Sequence, residues 1–239
     1  MIVAYIGVPI AQGADKKGVE ESPDFFRRSG VINMFQNITG CFDLGNVHSS
    51  IIAEEKFKAN SDVKFLNTVI DMTTQLRDKV SSVIKQGYFP LIVGGDHSLS
   101  IGSGAGVALA TDNVGVIWFD AHGDFNTEET SPSGNIHGMP CAALMGECTS
   151  SLNNVVTKHI PHQNFFWIGT RDLDEGELQM IEKKDLQVYS SKLVREKGIN
   201  VVIEDIIQKM ELRNINKIHL SIEFTNPHVK INKIRLLHP

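Results

Sequence analysis

Val114-Gly115-Val116-Ile117-Trp118-Phe119-Asp120-Ala121-His122-Gly123-Asp124 is the stretch on which the reading of this chain turns. A short apolar run without polar alternation suits a strand covered on both faces, as in a parallel sheet. Working outward, residues 89–93, 165–168 and 217–224 have the same character. Helices are expected at residues 98–110, 139–146, 175–184 and 201–212. Upstream, residues 2–8 and 41–47 read as strands, separated by a short helix with Ser22 as N-cap and Pro23 at its first position. Asp62 is expected to cap a long helix in which Val63, Leu66, Val69, Ile70, Thr73, Leu76, Val80, Val83 and Ile84 recur at helical spacing, and Gly87 to end it. This βαβ rhythm predicts an α/β fold: three layers, with an open, mostly parallel sheet and helices on both faces.

The chain has 239 residues, a length that favours one domain. Residues 1–226 are expected to form it, with 227–239 as a short divergent tail. Ile215-Asn216-Lys217-Ile218-His219-Leu220 is nearly repeated there as Ile231-Asn232-Lys233-Ile234-Arg235-Leu236. Hydrophobic residues at 41% and charged residues at 21% exclude collagen-like, coiled-coil and largely disordered classes. A net charge of −5 argues against a general nucleic-acid binder. No apolar run approaches the roughly 18 residues of a membrane span. Cys41, Cys141 and Cys148 lack a Cys-x-x-Cys pair and read as free thiols in a reducing compartment. The apolar start, Met1 to Pro9, has no basic segment and reads as a buried strand, not a signal peptide, so the cytoplasm is the expected address.

In open α/β sheets, ligands bind beyond the carboxyl ends of the strands. After residues 89–93 come Gly94-Gly95-Asp96-His97-Ser98: either a helix N-cap turn with a solvated histidine, or a neutral imidazole placed to bind a divalent metal. After Phe119, Asp120, His122 and Asp124 stand two apart, so in extended chain they point to one side. Such a cluster at the end of a buried strand is poorly tolerated without a cation, and carboxylate with imidazole suits an ion such as Mn²⁺; a solvated acidic loop is the alternative. Asn126, Thr127 and Ser131-Pro132-Ser133-Gly134-Asn135-Ile136-His137 form a turn rich in hydroxyls and amides, able to hold a carboxylate. His137 is able to shuttle protons there, and turn chemistry alone is the alternative. Asp172, Asp174 and Glu177 either grip an ammonium group or cap the next helix. Gly102-Ser103-Gly104-Ala105-Gly106 falls inside a helix and reads as close helix–sheet packing, not as a dinucleotide loop.

Together these segments, with Ile6-Gly7-Val8-Pro9 and Gly18-Val19-Glu20-Glu21-Ser22-Pro23, resemble the ureohydrolase superfamily over most of the chain. Ser133-Gly134-Asn135-Ile136-His137-Gly138 and the Gly-Val-Glu segment resemble the arginases within it, as opposed to agmatinase. The resemblance implies a homo-oligomer with two manganese ions per subunit that hydrolyses L-arginine to L-ornithine and urea, in arginine metabolism and the urea cycle. It implies His97, Asp120, His122 and Asp124 as metal ligands and His137 as the proton-transfer residue. Asn126, Ser131, Ser133, Gly134 and Asn135 match the region that holds the substrate α-carboxylate. Asp172, Asp174 and Glu177 match the segment facing its α-amino group. The third metal segment departs from the family pattern Ser-x-Asp-x-Asp-x-x-Asp-Pro, reading Ser221-Ile222-Glu223-Phe224-Thr225-Asn226-Pro227. Glu223 offers a longer carboxylate, whereas Thr225 is neutral. The family's following strand and helices are expected to have no counterpart, leaving an arginase-like fold with its C-terminal part missing. A catalytically impaired relative serving as a binding or regulatory subunit is the alternative; an agmatinase-like activity is disfavoured by the Ser/Asn turn.

Overall fold

Side chains that alternate between two apolar layers leave a strand no polar face, and the apolar runs of this chain become parallel strands for that reason. A computed structural model describes residues 1–51 and 63–224. Its first half runs β1 (Val3–Val8), α1 (Ser22–Arg28), α2 (Val31–Ile38), β2 (Cys41–Asn46), α3 (Leu66–Lys85), β3 (Phe89–Gly94) and α4 (Leu99–Ala110). The second half runs β4 (Val114–Phe119), α5 (Pro140–Met145), α6 (Ser150–Asn153), β5 (Phe165–Thr170), α7 (Glu175–Lys184), β6 (Gln187–Ser190), α8 (Ser191–Lys197), α9 (Ile199–Leu212) and β7 (Lys217–Ile222). Val116 and Trp118 of β4, with Phe165 and Trp167 of β5, enter the main core alongside α3, α4 and α5. Phe166 and Ile168 of β5 enter a second core under α9 with Val202, Ile206 and Met210, and Ile117 and Phe119 of β4 pack against it. Helices therefore cover both faces, as the βαβ rhythm predicts.

All strand pairs are parallel, but the ladder is divided among the described residues: one sheet has the order β2-β1-β3 and the other β6-β5-β4-β7. A single continuous sheet was the expectation; here β3 and β7 each keep one edge without a strand partner among the described residues. The register decides where the site lies. Phe119 pairs with Ile222, so β4 and β7 finish level, and with Ile168, two residues before β5 ends at Thr170. Val8 pairs with Gly94 at the corresponding end of the other sheet.

Several local expectations need correction. α1 begins at Ser22 itself, behind Glu21, and no side chain caps it; a second helix, α2, follows after Gly30, whose φ of 81° breaks the run. Asp62 lies outside the described residues, and Phe65, with φ 52°, precedes α3 without a side-chain cap. The segment 217–224 is not covered on both faces: in β7, His219 and Ser221 turn inward while Ile218, Leu220 and Ile222 are half exposed. The glycines of α4 serve helix–helix contact. A Cβ on Gly102 would lie 2.4 Å from the Thr73 carbonyl of α3, one on Gly106 2.6 Å from that of Arg77, and one on Gly104 2.6 Å from Leu144 of α5. The short elements α6, β6 and α8 carry too little periodicity to be read from sequence. Thr225, Asn226, the boundary at 226 and the tail with its near-repeat lie outside the described residues.

Candidate metal centre

Three loops at the strand ends converge on one point. After β3, the Gly95 amide donates to Val8 O (3.0 Å) and the Asp96 amide to Ile10 O (2.9 Å). The two chains approach so closely that a Cβ on Gly95 would lie 1.7 Å from Ile10 O. Asp96 is spent on this turn, accepting from Ser98 N (3.0 Å), Ser98 Oγ (2.5 Å) and Ala14 N (3.2 Å). The next residue, His97, is thereby carried under the sheet edge. Its ring stacks on Trp118 with centroids 4.3 Å apart, and its Nε2 lies 2.7 Å from Ser221 Oγ of β7. The opposite nitrogen, Nδ1, faces the loop after β4.

There it meets carboxylates from two elements. Nδ1 lies 2.8 Å from Asp124 Oδ2, 3.0 Å from Asp120 Oδ2 and 3.4 Å from Glu223 Oε2. One ligand atom from each of His97, Asp120, Asp124 and Glu223 falls within 4.8 Å of every other. His97 Nδ1, Asp120 Oδ2 and Asp124 Oδ2 are buried, and none has a partner in hydrogen-bond geometry. Converging, unpartnered, oxygen-rich donors without a thiolate match the requirements of a hard or borderline divalent cation.

The electrostatics agree. Burial disfavours a charged His97, yet the Asp120, Asp124 and Glu223 carboxylates hold its proton affinity well above the ordinary imidazole value. Burial raises Asp124 and Glu223. Burial also works on Asp120, but the His122 and His97 side chains hold it well below the usual carboxylate range. The group as a whole demands positive charge at its centre.

Two backbone devices aim these side chains. Asp120 continues the ladder by donating to Ile168 O (3.2 Å), and its Oδ1 accepts the His122 amide (3.1 Å), turning the chain out of the strand. Asp124 then adopts φ 54°, the left-handed region, and its carbonyl accepts from the Cys141 amide (2.8 Å), which brings its carboxylate back inward. His122, between them, points outward: its side chain is 42% exposed and lies outside the four-donor group, with Nδ1 3.3 Å from Asp120 Oδ1. The period-two expectation for Asp120, His122 and Asp124 fails here, because the strand ends at Phe119 and the extended repeat ends with it.

The remaining candidates are arranged around this group with different degrees of freedom. His137 is fixed by Gly13, whose carbonyl accepts the His137 amide and lies 3.1 Å from its Nδ1. Asn126 is buried and engaged, donating to Asp174 Oδ2 (2.6 Å) and accepting from Thr130 Oγ1 (2.8 Å). Ser131 Oγ accepts the Gly134 amide and Ser133 Oγ the Asn135 amide, with Ser133 exposed. The Asn135 side chain donates to Ala14 O (3.3 Å). Asp174 and Glu177 form a reciprocal capping box on α7, so the capping alternative is realised for both; Asp172 is exposed, 3.7 Å from His122 Nε2. Sequence reading missed Ser221 and Trp118 as supports of His97. Ser221 of β7 stands two before Glu223, which directly follows that strand, and this same-face spacing was the available signal.

Residues 2–224 match the family model described as Arginase family. An arginase of Staphylococcus aureus (strain MRSA252) is 39% identical over 223 residues, covering 92% of this chain and 74% of the relative. An arginase of Bacillus subtilis (strain 168) is 39% identical over 224 residues with the same coverage. The native structure of the Bacillus caldovelox arginase at pH 5.6 superposes with a TM-score of 0.86 at 37% identity, covering 92% of this chain and 74% of that one. On sequence, fold and strand-end geometry together, this chain belongs to the arginase family.

Proposed function

We propose that this chain hydrolyses L-arginine to L-ornithine and urea with manganese at the His97, Asp120, Asp124 and Glu223 group. The single observation that carries the reading is the convergence of four metal-competent donors at the ends of β3, β4 and β7, three of them buried and unpartnered. A divalent cation there supplies Lewis acidity and activates water for attack on the guanidinium carbon.

The chain's own residues have distinct tasks. Ser221 and Trp118 hold the His97 ring so that Nδ1 faces the carboxylates. Gly13 O holds His137 at Nδ1, leaving Nε2 to carry a proton to the departing δ-nitrogen as the C–N bond breaks. The turn of Ser131, Ser133, Gly134 and Asn135, backed by Asn126, would receive the α-carboxylate. Asp172 and Asp174, with Glu177 behind them, present negative charge to the α-ammonium. No helix of the described residues is long and apolar enough to cross a membrane, and the free Cys41, Cys141 and Cys148 support a cytosolic setting.

The purified chain, loaded with MnCl₂, is expected to release ornithine and urea in equal amounts from arginine. Agmatine, which lacks the carboxylate, is expected to be the poorer substrate. Absence of ornithine would reject hydrolysis, and equal rates on the two guanidines would reject the carboxylate-binding turn.

A further inference from the structure

We infer that this chain holds one divalent cation tightly, not the pair that the arginase resemblance implies. The inference rests on the metal reading above and deepens it, because the residues fit the first ion and do not fit the second. The first position has His97 Nδ1, Asp120 Oδ2, Asp124 Oδ2 and Glu223 Oε2 gathered within 4.8 Å, on a ring locked from behind by Ser221 and Trp118.

A second ion beside His122 finds little. Asp120 would have to supply Oδ1, which already accepts the His122 amide at 3.1 Å and sits 3.3 Å from the His122 ring. His122 itself is outside the four-donor group, with its side chain 42% exposed. Of the other carboxylates that act on it, Asp124 and Glu223 belong to the first position, and Asp172 is 81% exposed and 3.7 Å away, so solvent screens its charge. The residue two beyond Glu223 is Thr225, which brings no negative charge. Two divalent ions about 3.5–4 Å apart need bridging and flanking carboxylates to offset their repulsion. Three carboxylates more than offset the charge of one divalent ion and fall short of that of two.

Loss of a supporting partner alone weakens metal sites about 10–100-fold, so loss of direct donors sets any second event at least about 100-fold weaker than the first. The test uses the whole 239-residue chain, stripped with chelator, freed of it and titrated with MnCl₂, bound ions being counted from the EPR signal of free Mn(II). One tight ion per chain is expected. Two tight ions would overturn the inference while sparing the metal reading; no bound ion would overturn the metal reading itself. His122→Ala is expected to keep the single ion, and its loss in a folded variant would overturn the assignment. Asp124→Asn, with Asp124→Ala as a second substitution, is expected to abolish binding. Thr225→Asp should raise the count from one to two, and adding His122→Ala should remove the gain. A Thr225→Asp chain that still holds one ion would overturn the role given to position 225.

Discussion

At the scale of single residues, the segments beyond the strands, the first turn of α7 included, hold groups whose chemistry depends on burial. Glu177 is 5% exposed; desolvation, chiefly, raises its pKa to about 7, helped by the neighbouring charges of Asp174 and Asp124. The folded chain thus keeps a proton that the unfolded chain releases near 4.5, and stability falls as pH rises from that value through about 7. Glu177→Gln retains a side chain able to complete the capping box and removes the titration. In urea melts of the metal-free protein, the variant should gain ~3 kcal/mol relative to wild type between pH 5 and pH 8; parallel profiles would reject the buried acid. His137, tied to Gly13, lies outside the four-donor group, so His137→Asn should lower turnover by about 10²–10⁴-fold with manganese content intact. Metal lost from that variant would place His137 among the ligands.

At the scale of elements, α4 and β7 show where local pattern and packing part company. The glycines of α4 look like a phosphate loop or a weak helix until α3 is placed against them. Gly102→Ala trades up to ~1 kcal/mol of helix propensity against a clash with the α3 backbone, which has no flexible end to give way. The clash should win, with a net loss of about 1–3 kcal/mol in chemical denaturation. A stabilised variant would show that α3 moves freely. Since α4 starts two residues after His97, the same substitution should also weaken Mn²⁺ binding. β7 inverts its apparent amphipathicity. Its Ile and Leu positions are half exposed, while His219 and Ser221 face Ser100 and Ser103 of α4, with Ser100 Oγ 3.4 Å from Ser221 Oγ. Burial holds His219 neutral, with its pKa lowered to about 4, so this layer beneath His97 is polar and uncharged at neutral pH.

At the scale of the whole molecule, the metal group is a charge imbalance drawn from both sheets. A cation binding the folded chain alone stabilises it by mass action: at 100 times its Kd, about 2.7 kcal/mol. For a chain of this size that raises Tm by roughly 5–10 °C. Calorimetry with Mn²⁺ should show the shift, and Asp124→Ala should remove it; an unchanged shift would move the site elsewhere. Sequence alone determined the strand and helix alternation, the parallel class and the loops worth inspecting. Apolar periodicity and glycine punctuation are local properties, written within a few residues of where they act. It also resolved His97, Asp120 and Asp124 as candidates, because each lies in the few residues that follow an apolar run. Only tertiary structure separated His122 from its neighbours. In sequence it stands midway between Asp120 and Asp124, yet the turn at Asp120 and the left-handed backbone of Asp124 send one side chain to solvent and two inward. Ser221 and Trp118 were likewise invisible as supports, since their contacts with His97 arise only when the loop after β3 packs against the neighbouring strands β4 and β7. A side chain's direction at a strand's end is set by hydrogen bonds to distant backbone, and no local pattern encodes those.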